Sequence, residues 1–591
     1  MKQFFKFTFA SCLGVFISTI LIIFILFGIV SSMLSSSSKS VPTIGDNSVL
    51  VIKLDKPIYD REVNDLSALI SSSSSSIDAS SSIGLTEFIA TINNAKDDPK
   101  IKAIMLDLSI LQTNGWATVD ELREALINFK QSKKKIYAFS DTYEQKAYYL
   151  ASAADEVLLN PAGHLQLTGI GGQVVFLKDM LKKFDIDVHL IRPLNNEYKS
   201  AGEMFINDKM SSANRRQVKE YLTSIWDNVA KNIVDSRKFS SIDSFNNSVS
   251  RLETFMPKDA LEKKYVDNLM FRSDLEDKIK QDLKLKNVNW VTYKKYRESL
   301  PNLIKEDAKE NIAIIYAYGD VLQGKGSELS IGSRTIVKQL QKAVKNTRVK
   351  AIVLRVNSGG GDAIASEEMT NEVIKAKKVK PVIVSMGDVA ASAGYEISSA
   401  ATKIIANKTT ITGSIGVFGV IPNFGKALKN HLGISYDTIQ TNKNSIFLSP
   451  FSPMSEDTKR AMQANVDAFY QNFITRVATG RNLNVNFVDS IARGRVWSGE
   501  DAKFLGLVDE FGGLYKAIEV AAKQAKTSSY GLIQMPKAKT LTEQIFESVQ
   551  GEAQMKLFTK ELGKPYSLFL ELKNLSDMQG IQARLPYIVN F

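Results

Sequence analysis

The chain repeats itself. Ala103-Ile-Met-Leu-Asp-Leu108 returns as Ala351-Ile-Val-Leu-Arg-Val356, Tyr149-Leu-Ala-Ser152 as Tyr395-Glu-Ile-Ser398, Thr168-Gly169 as Thr412-Gly413, and Met256 to Asp267 as Trp497 to Asp509. The spacing between partners drifts evenly through 248, 246, 244 and 242 positions, so a few short deletions separate two copies of one unit. In each copy short apolar runs of strand type alternate with helical periods such as Glu367 to Lys377, the pattern of a sheet with crossover helices. The fold expected is therefore α/β, a tandem repeat of two domains at 46–305 and 306–535. Residues 1–45 precede them, and an extension at 536–591 is expected to be helical and peripheral. At 591 residues and 44% hydrophobic content the chain exceeds one ordinary core and can fill two.

The copies differ where chemistry would sit. In the second, Ala351 to Val356 runs into Asn357-Ser-Gly-Gly-Gly-Asp362, a turn whose missing side chains leave backbone N–H groups open to an oxyanion. A single hydroxyl, Ser392, follows among small neighbours in Gly387-Asp-Val-Ala-Ala-Ser-Ala-Gly-Tyr395, where a carbonyl could approach it closely. The helix-permissive run after it places the serine at a helix N-terminus. The amides of Gly360 or Gly361 and of Ala393 are the candidate oxyanion donors. At matching positions the first copy has Lys146 for Ser392 and Ile110 to Thr113, without glycine, for the turn. Acyl transfer is expected in the second copy alone.

A serine hydroxyl needs a base. His164, His189 and His431 are scattered, and His431 reads as a residue at a helix end. A lysine serves instead if burial keeps its amine neutral. Lys199 and Lys443 hold nearly equivalent places in the two copies, and the chain alone favours Lys443, which shares a copy with Ser392. Asp388 reads as a turn or capping residue rather than a third catalytic member. Cys12 is the only cysteine and no zinc-ligand spacing exists, so neither a metal nor any other cofactor is expected.

Lys2 and Lys6 precede an uncharged, Leu/Ile/Phe-rich segment from Phe7 to Val30, long enough to span a bilayer and so to anchor the protein in membrane lipid. Its exit, Ser31-Ser-Met-Leu, favours retention over cleavage. Positive charge before it implies a cytoplasmic start and an extracytoplasmic body. Ser35 to Ser40 reads as a tether, and the serines at 71–76 and 80–82 as a surface loop. The balance of 75 basic against 63 acidic residues, +12, is spread along the chain as a solvated face and predicts no nucleic-acid partner.

Asn357 to Gly361, Met386 to Tyr395 and Thr412-Gly-Ser-Ile-Gly-Val-Phe-Gly419 together resemble the signature blocks of the signal peptide peptidase A family, the long membrane-bound form of protease IV, over nearly the whole chain. Gly359 departs from the proline usual there, so a looser turn is expected. The resemblance implies a Clp/crotonase-like catalytic core and a Ser/Lys dyad. Glu197-Tyr-Lys-Ser-Ala-Gly-Glu-Met-Phe-Ile206 looks like the block of the family's general base, which favours Lys199 over Lys443. Ser414 resembles the hydroxyl that orients the lysine amine. A homotetrameric bowl on the inner-membrane surface and extended peptides such as cleaved signal peptides as substrates are implied likewise. A crotonase-like acyl-CoA enzyme and an inactive membrane scaffold are the competing classes; the first would not need Ser392.

Overall fold

The computed structural model of the protein describes residues 41–63, 82–113, 115–300, 303–304, 308–537 and 582–584, with a few positions among the first 21. The apolar run from Phe7 to Val30, the serine runs up to residue 81 and most of the extension at 536–591 thus lie largely outside the described residues. No helix among the described residues is long and apolar enough to cross a membrane.

Two parallel sheets carry the body. The first runs in the order Asn289–Thr292, Ser48–Leu54, Ile101–Leu111, Lys135–Ser140, Glu156–Leu159, Asn268–Leu269. The second follows the same path through Gly531–Met535, Asn311–Tyr318, Val349–Ser358, Val382–Ala391, Lys403–Ala406 and Glu510–Phe511. Central strands such as Asn311–Tyr318 are apolar at nearly every position because both faces are covered, which is what parallel strands with helical crossovers require. On the second sheet, Ser333–Lys345 and Ala363–Lys377 cover one face and Leu514–Gln524 the other. That sheet also branches: Ile411–Gly413 continues alongside Val389–Ala391 and is closed by antiparallel Val496–Ser498. The register between Val349–Ser358 and Val382–Ala391 slips just before Ser358, where the chain leaves for its glycine turn.

The halves are joined by buried polar contacts. Helix Trp116–Lys130 begins at Gly115, which has no side chain to cap it, and the Asp388 carboxylate does so from the other half, accepting from the Thr118 amide and hydroxyl at 2.7 Å each. One turn on, Glu121 accepts from Arg355 and from the Leu514 amide, both at 2.8 Å, and Arg355 also donates to Asp60 at 2.7 Å. Arg355 is wholly buried, so only this pairing makes its charge tolerable there. A two-stranded antiparallel ribbon, Asp187–Ile191 with Gly419–Asn423, makes the second junction and delivers the loop that follows residue 191 to the second sheet.

The extension at 536–591 departs from the helical, peripheral expectation in the part described. Gln582–Arg584 is a strand antiparallel to Gly360–Asp362, and Ala583 is fully buried. Its backbone is paired on both sides, which a peripheral helix could not provide.

Candidate active site

Ser392 ends the strand Val382–Ala391 and begins the helix Ala393–Ser399. Making that turn without a spacer puts it at φ 56°, ψ −118°, a conformation that costs an L residue about 1–3 kcal/mol. The surroundings hold it there: its amide donates to the Gly413 carbonyl at 2.9 Å, and its carbonyl accepts from the Glu396 amide at 2.8 Å. Small neighbours are a packing requirement, since a Cβ on Gly394 would lie 2.8 Å from the Ser358 carbonyl oxygen.

Lys199 reaches the same point from the first half, on the loop after the ribbon. Residues 493–495 stitch it in place: the Arg493 carbonyl accepts from the Tyr198 amide at 3.2 Å, the Gly494 amide donates to Ile415 at 2.8 Å, and the Arg495 carbonyl accepts from the Ser414 amide at 2.6 Å. Gly494 has φ 79°, and a Cβ there would fall 2.4 Å from that of Lys199. The amine ends 2.8 Å from Ser392 Oγ, 3.0 Å from Ser414 Oγ and 3.1 Å from the Ser414 carbonyl.

Both side chains are inaccessible to solvent. Burial alone pulls the Lys199 amine well below the ordinary lysine range, and no carboxylate among the described residues offsets it. A neutral amine has two N–H donors and one lone pair. Three contacts suit it: the two Ser414 oxygens accept, and the lone pair faces the Ser392 hydroxyl. That arrangement can take a proton from Ser392. The Ala393 amide, in the first turn of its helix, lacks an intrahelical acceptor. Gly360 and Gly361 have φ of 110° and 154°, and the Gly360 amide donates to Ser358 Oγ at 3.1 Å, a bond an oxyanion would have to replace.

The geometry thus gathers Ser392, Lys199, Ser414 and Ala393, with the glycine turn alongside. Lys443 is elsewhere: its side chain is 78% exposed and pairs with Asp457 at 2.5 Å. His431, in the last turn of Gly425–Leu432, pairs with Asp185 at 3.2 Å. Sequence reasoning missed Gly494, Ser358 and Phe418, whose ring lies 6.0 Å from the lysine nitrogen. Ser358 and Phe418 stood within quoted blocks and could have been found there. A lone glycine 295 positions from Lys199 gave no signal.

Known proteins set this arrangement in context. The Peptidase family S49 profile matches twice, over residues 128–286 and 374–528. A Protease 4 from Haemophilus influenzae is 34% identical over 450 residues, 74% of this chain and 72% of its own. A Protease 4 from Salmonella typhi is 33% identical over 515 residues, 85% of this chain and 82% of its own. Among solved structures, a membrane-bound stomatin-specific protease in complex with a substrate peptide aligns with 41% of this chain and 98% of its own, at 13% identity and a TM-score of 0.27. The family profile and the two Protease 4 matches define a serine protease. The chain belongs to peptidase family S49.

Proposed function

We propose that this protease cleaves extended peptides with Ser392 as nucleophile and Lys199 of the same chain as general base. The observation that carries the reading is the 2.8 Å approach of a buried, desolvated amine to the serine hydroxyl. Ser392 Oγ bonds to the scissile carbonyl carbon while its proton passes to Lys199 Nζ. The carbonyl oxygen, now an oxyanion, is received by the Ala393 amide and by an amide of Gly360 or Gly361. The ammonium then protonates the leaving nitrogen, the C–N bond breaks, and an acyl-serine remains. Water attacks that ester, giving its proton to Lys199, which returns one to Ser392 as the acid departs. Ser414 holds the amine's two N–H groups so that its lone pair stays on Ser392.

The substrates we propose are cleaved signal peptides and other unfolded segments, held by strand addition beside the glycine turn. The place of work is the extracytoplasmic face of the membrane, with Phe7 to Val30 as a single-pass anchor and a homotetramer as the working assembly. A serine-reactive probe tests the nucleophile: it should label the wild type and leave Ser392→Ala unlabelled, with peptide hydrolysis lost in the same variant. Hydrolysis near the wild-type rate in Ser392→Ala would sink the assignment.

A further inference from the structure

One turn past Ser392 the chain buries a carboxylate that the mechanism above does not use. Glu396 lies in helix Ala393–Ser399 and is 3% exposed. Its Oε2 accepts from Ser366 Oγ at 2.6 Å, and its Oε1 lies 3.4 Å from Arg476 Nη1. Ser366 is fully buried in the first turn of helix Ala363–Lys377, which follows Gly360–Asp362 directly and is capped by the Asp362 side chain. A single side-chain bond thus joins the first turn of the helix behind the nucleophile to the first turn of the helix behind the glycine amides.

Burying a carboxylate is costly, and the internal repeat shows that the fold does not require it. Helices Trp116–Lys130 and Ala363–Lys377 are both 15 residues long, so Ser366 matches Val119. Tyr395 matches Tyr149, so Glu396 matches Leu150. Val119 and Leu150 are both fully buried in the first core. Helices Ser212–Arg237 and Glu456–Arg481, 26 residues each, put the neutral Asn232 where Arg476 stands. The copy with lysine in place of Ser392 therefore fills the same three places without acid, hydroxyl or guanidinium. The polar set accompanies the nucleophile.

The direction of the Ser366 bond depends on a proton. Ser366 has one hydroxyl hydrogen and two acceptors in reach, the Glu396 carboxylate at 2.6 Å and the Ala363 carbonyl at 2.9 Å. An ionised Glu396 takes that hydrogen in a charge-assisted bond, which the short distance fits. A protonated Glu396 donates instead, and Ser366 turns its hydrogen to Ala363. Burial pushes the Glu396 carboxyl up to about 7, against the downward pull of Ser366 and Arg476 and with a smaller upward push from Glu367. The strands packed on this helix, Val349–Ser358, Gly360–Asp362 and Val382–Ala391, bring no further charge to bear on it among the described residues.

We propose that Glu396 is a positioning residue: ionised, it holds the amides of Gly360 and Gly361, through Ser366, at the spacing from Ser392 that an oxyanion needs. This rests on the reading of Ser392 given above. A misplacement of about 1 Å in such a constellation can cost about a hundredfold in rate, so loosening one of its ties should cost about tenfold in kcat and leave KM within about twofold.

The test measures kcat and KM for one peptide from about pH 5 to about pH 9 on wild type, on Glu396→Gln and on Glu396→Leu combined with Ser366→Val, which installs the first copy's apolar pair. At about pH 8 both variants should turn over about tenfold more slowly than wild type, and the gap should close to about twofold near pH 5, where Glu396 in the wild type is itself protonated. Ionisation of Lys199 is common to all three proteins and cancels in the ratio. The Leu/Val variant should melt no lower than wild type, because it exchanges a buried charge for an apolar contact the fold already accommodates. A ratio that stays constant with pH overturns the proposal, as does a loss confined to KM or a wild-type rate in either variant. Hydrolysis that survives Ser392→Ala removes the nucleophile and this inference with it, whereas a constant ratio in an enzyme that needs Ser392 removes this inference alone.

Discussion

Replacing Lys199 by methionine keeps most of the side chain's length and removes the amine, and its two consequences follow different rules. Loss of a general base lowers turnover by about 10²- to 10⁴-fold, roughly 3–5 kcal/mol of barrier. The effect on folding depends on pH. Unfolded, Lys199 titrates near the ordinary lysine value of about 10.4; folded, burial holds it well below. Between the two values the unfolded chain binds a proton that the folded chain does not. Wild-type stability therefore falls as pH is lowered from about 10.4, by up to about 1.4 kcal/mol per pH unit, and levels off below the folded value. Methionine has no such dependence. The hydrogen bonds it forfeits to Ser392 and Ser414, about 1 kcal/mol each, add an offset that is nearly independent of pH, so the slope isolates the amine. Urea unfolding of both proteins from about pH 6 to about pH 10 should show wild type gaining on Lys199→Met as pH rises. The wild-type kcat/KM should climb through the folded pKa and then flatten. A difference in stability that stays flat across this range would refute the reasoning, because a lysine of ordinary pKa is charged at neutral pH and cannot act as the base.

Lys443→Ala should leave kcat/KM within about twofold of wild type, since an exposed ion pair contributes about 0–1 kcal/mol and lies outside the site; a loss like that of Lys199→Met would relocate the base. Ser414→Ala removes one of the two oxygens that hold the amine, and peptide turnover should fall about tenfold with KM little changed, for about 1–1.5 kcal/mol of lost orientation. Gly494→Ala brings a Cβ to 2.4 Å from Lys199 at a φ of 79°, so thermal melting should show a loss of about 1–3 kcal/mol together with reduced kcat. A variant of unchanged melting temperature and rate would mean that residues 493–495 do not fix the lysine.

The sequence by itself determined what local patterns can encode. Short runs such as Ala351 to Val356 followed by a helical period give an α/β class, because period and length are properties of neighbouring residues. Ser392 stood out for a related reason: a strand that turns straight into a helix at an unfavourable φ admits only small neighbours, and that requirement is written beside it. The lysine was a different matter. The repeat alone favoured Lys443, which shares a copy with Ser392, and only the resemblance favoured Lys199. What decides their places is pairing across long separations: Asp187–Ile191 with Gly419–Asn423, and the Arg493 carbonyl with the Tyr198 amide. Desolvation of the amine likewise exists only once elements from both halves close around it. The extension shows the limit most plainly, since nothing in Gln582-Ala-Arg584 marks a buried strand. Only the two backbone edges that receive it, Gly360–Asp362 and Phe418, make it one.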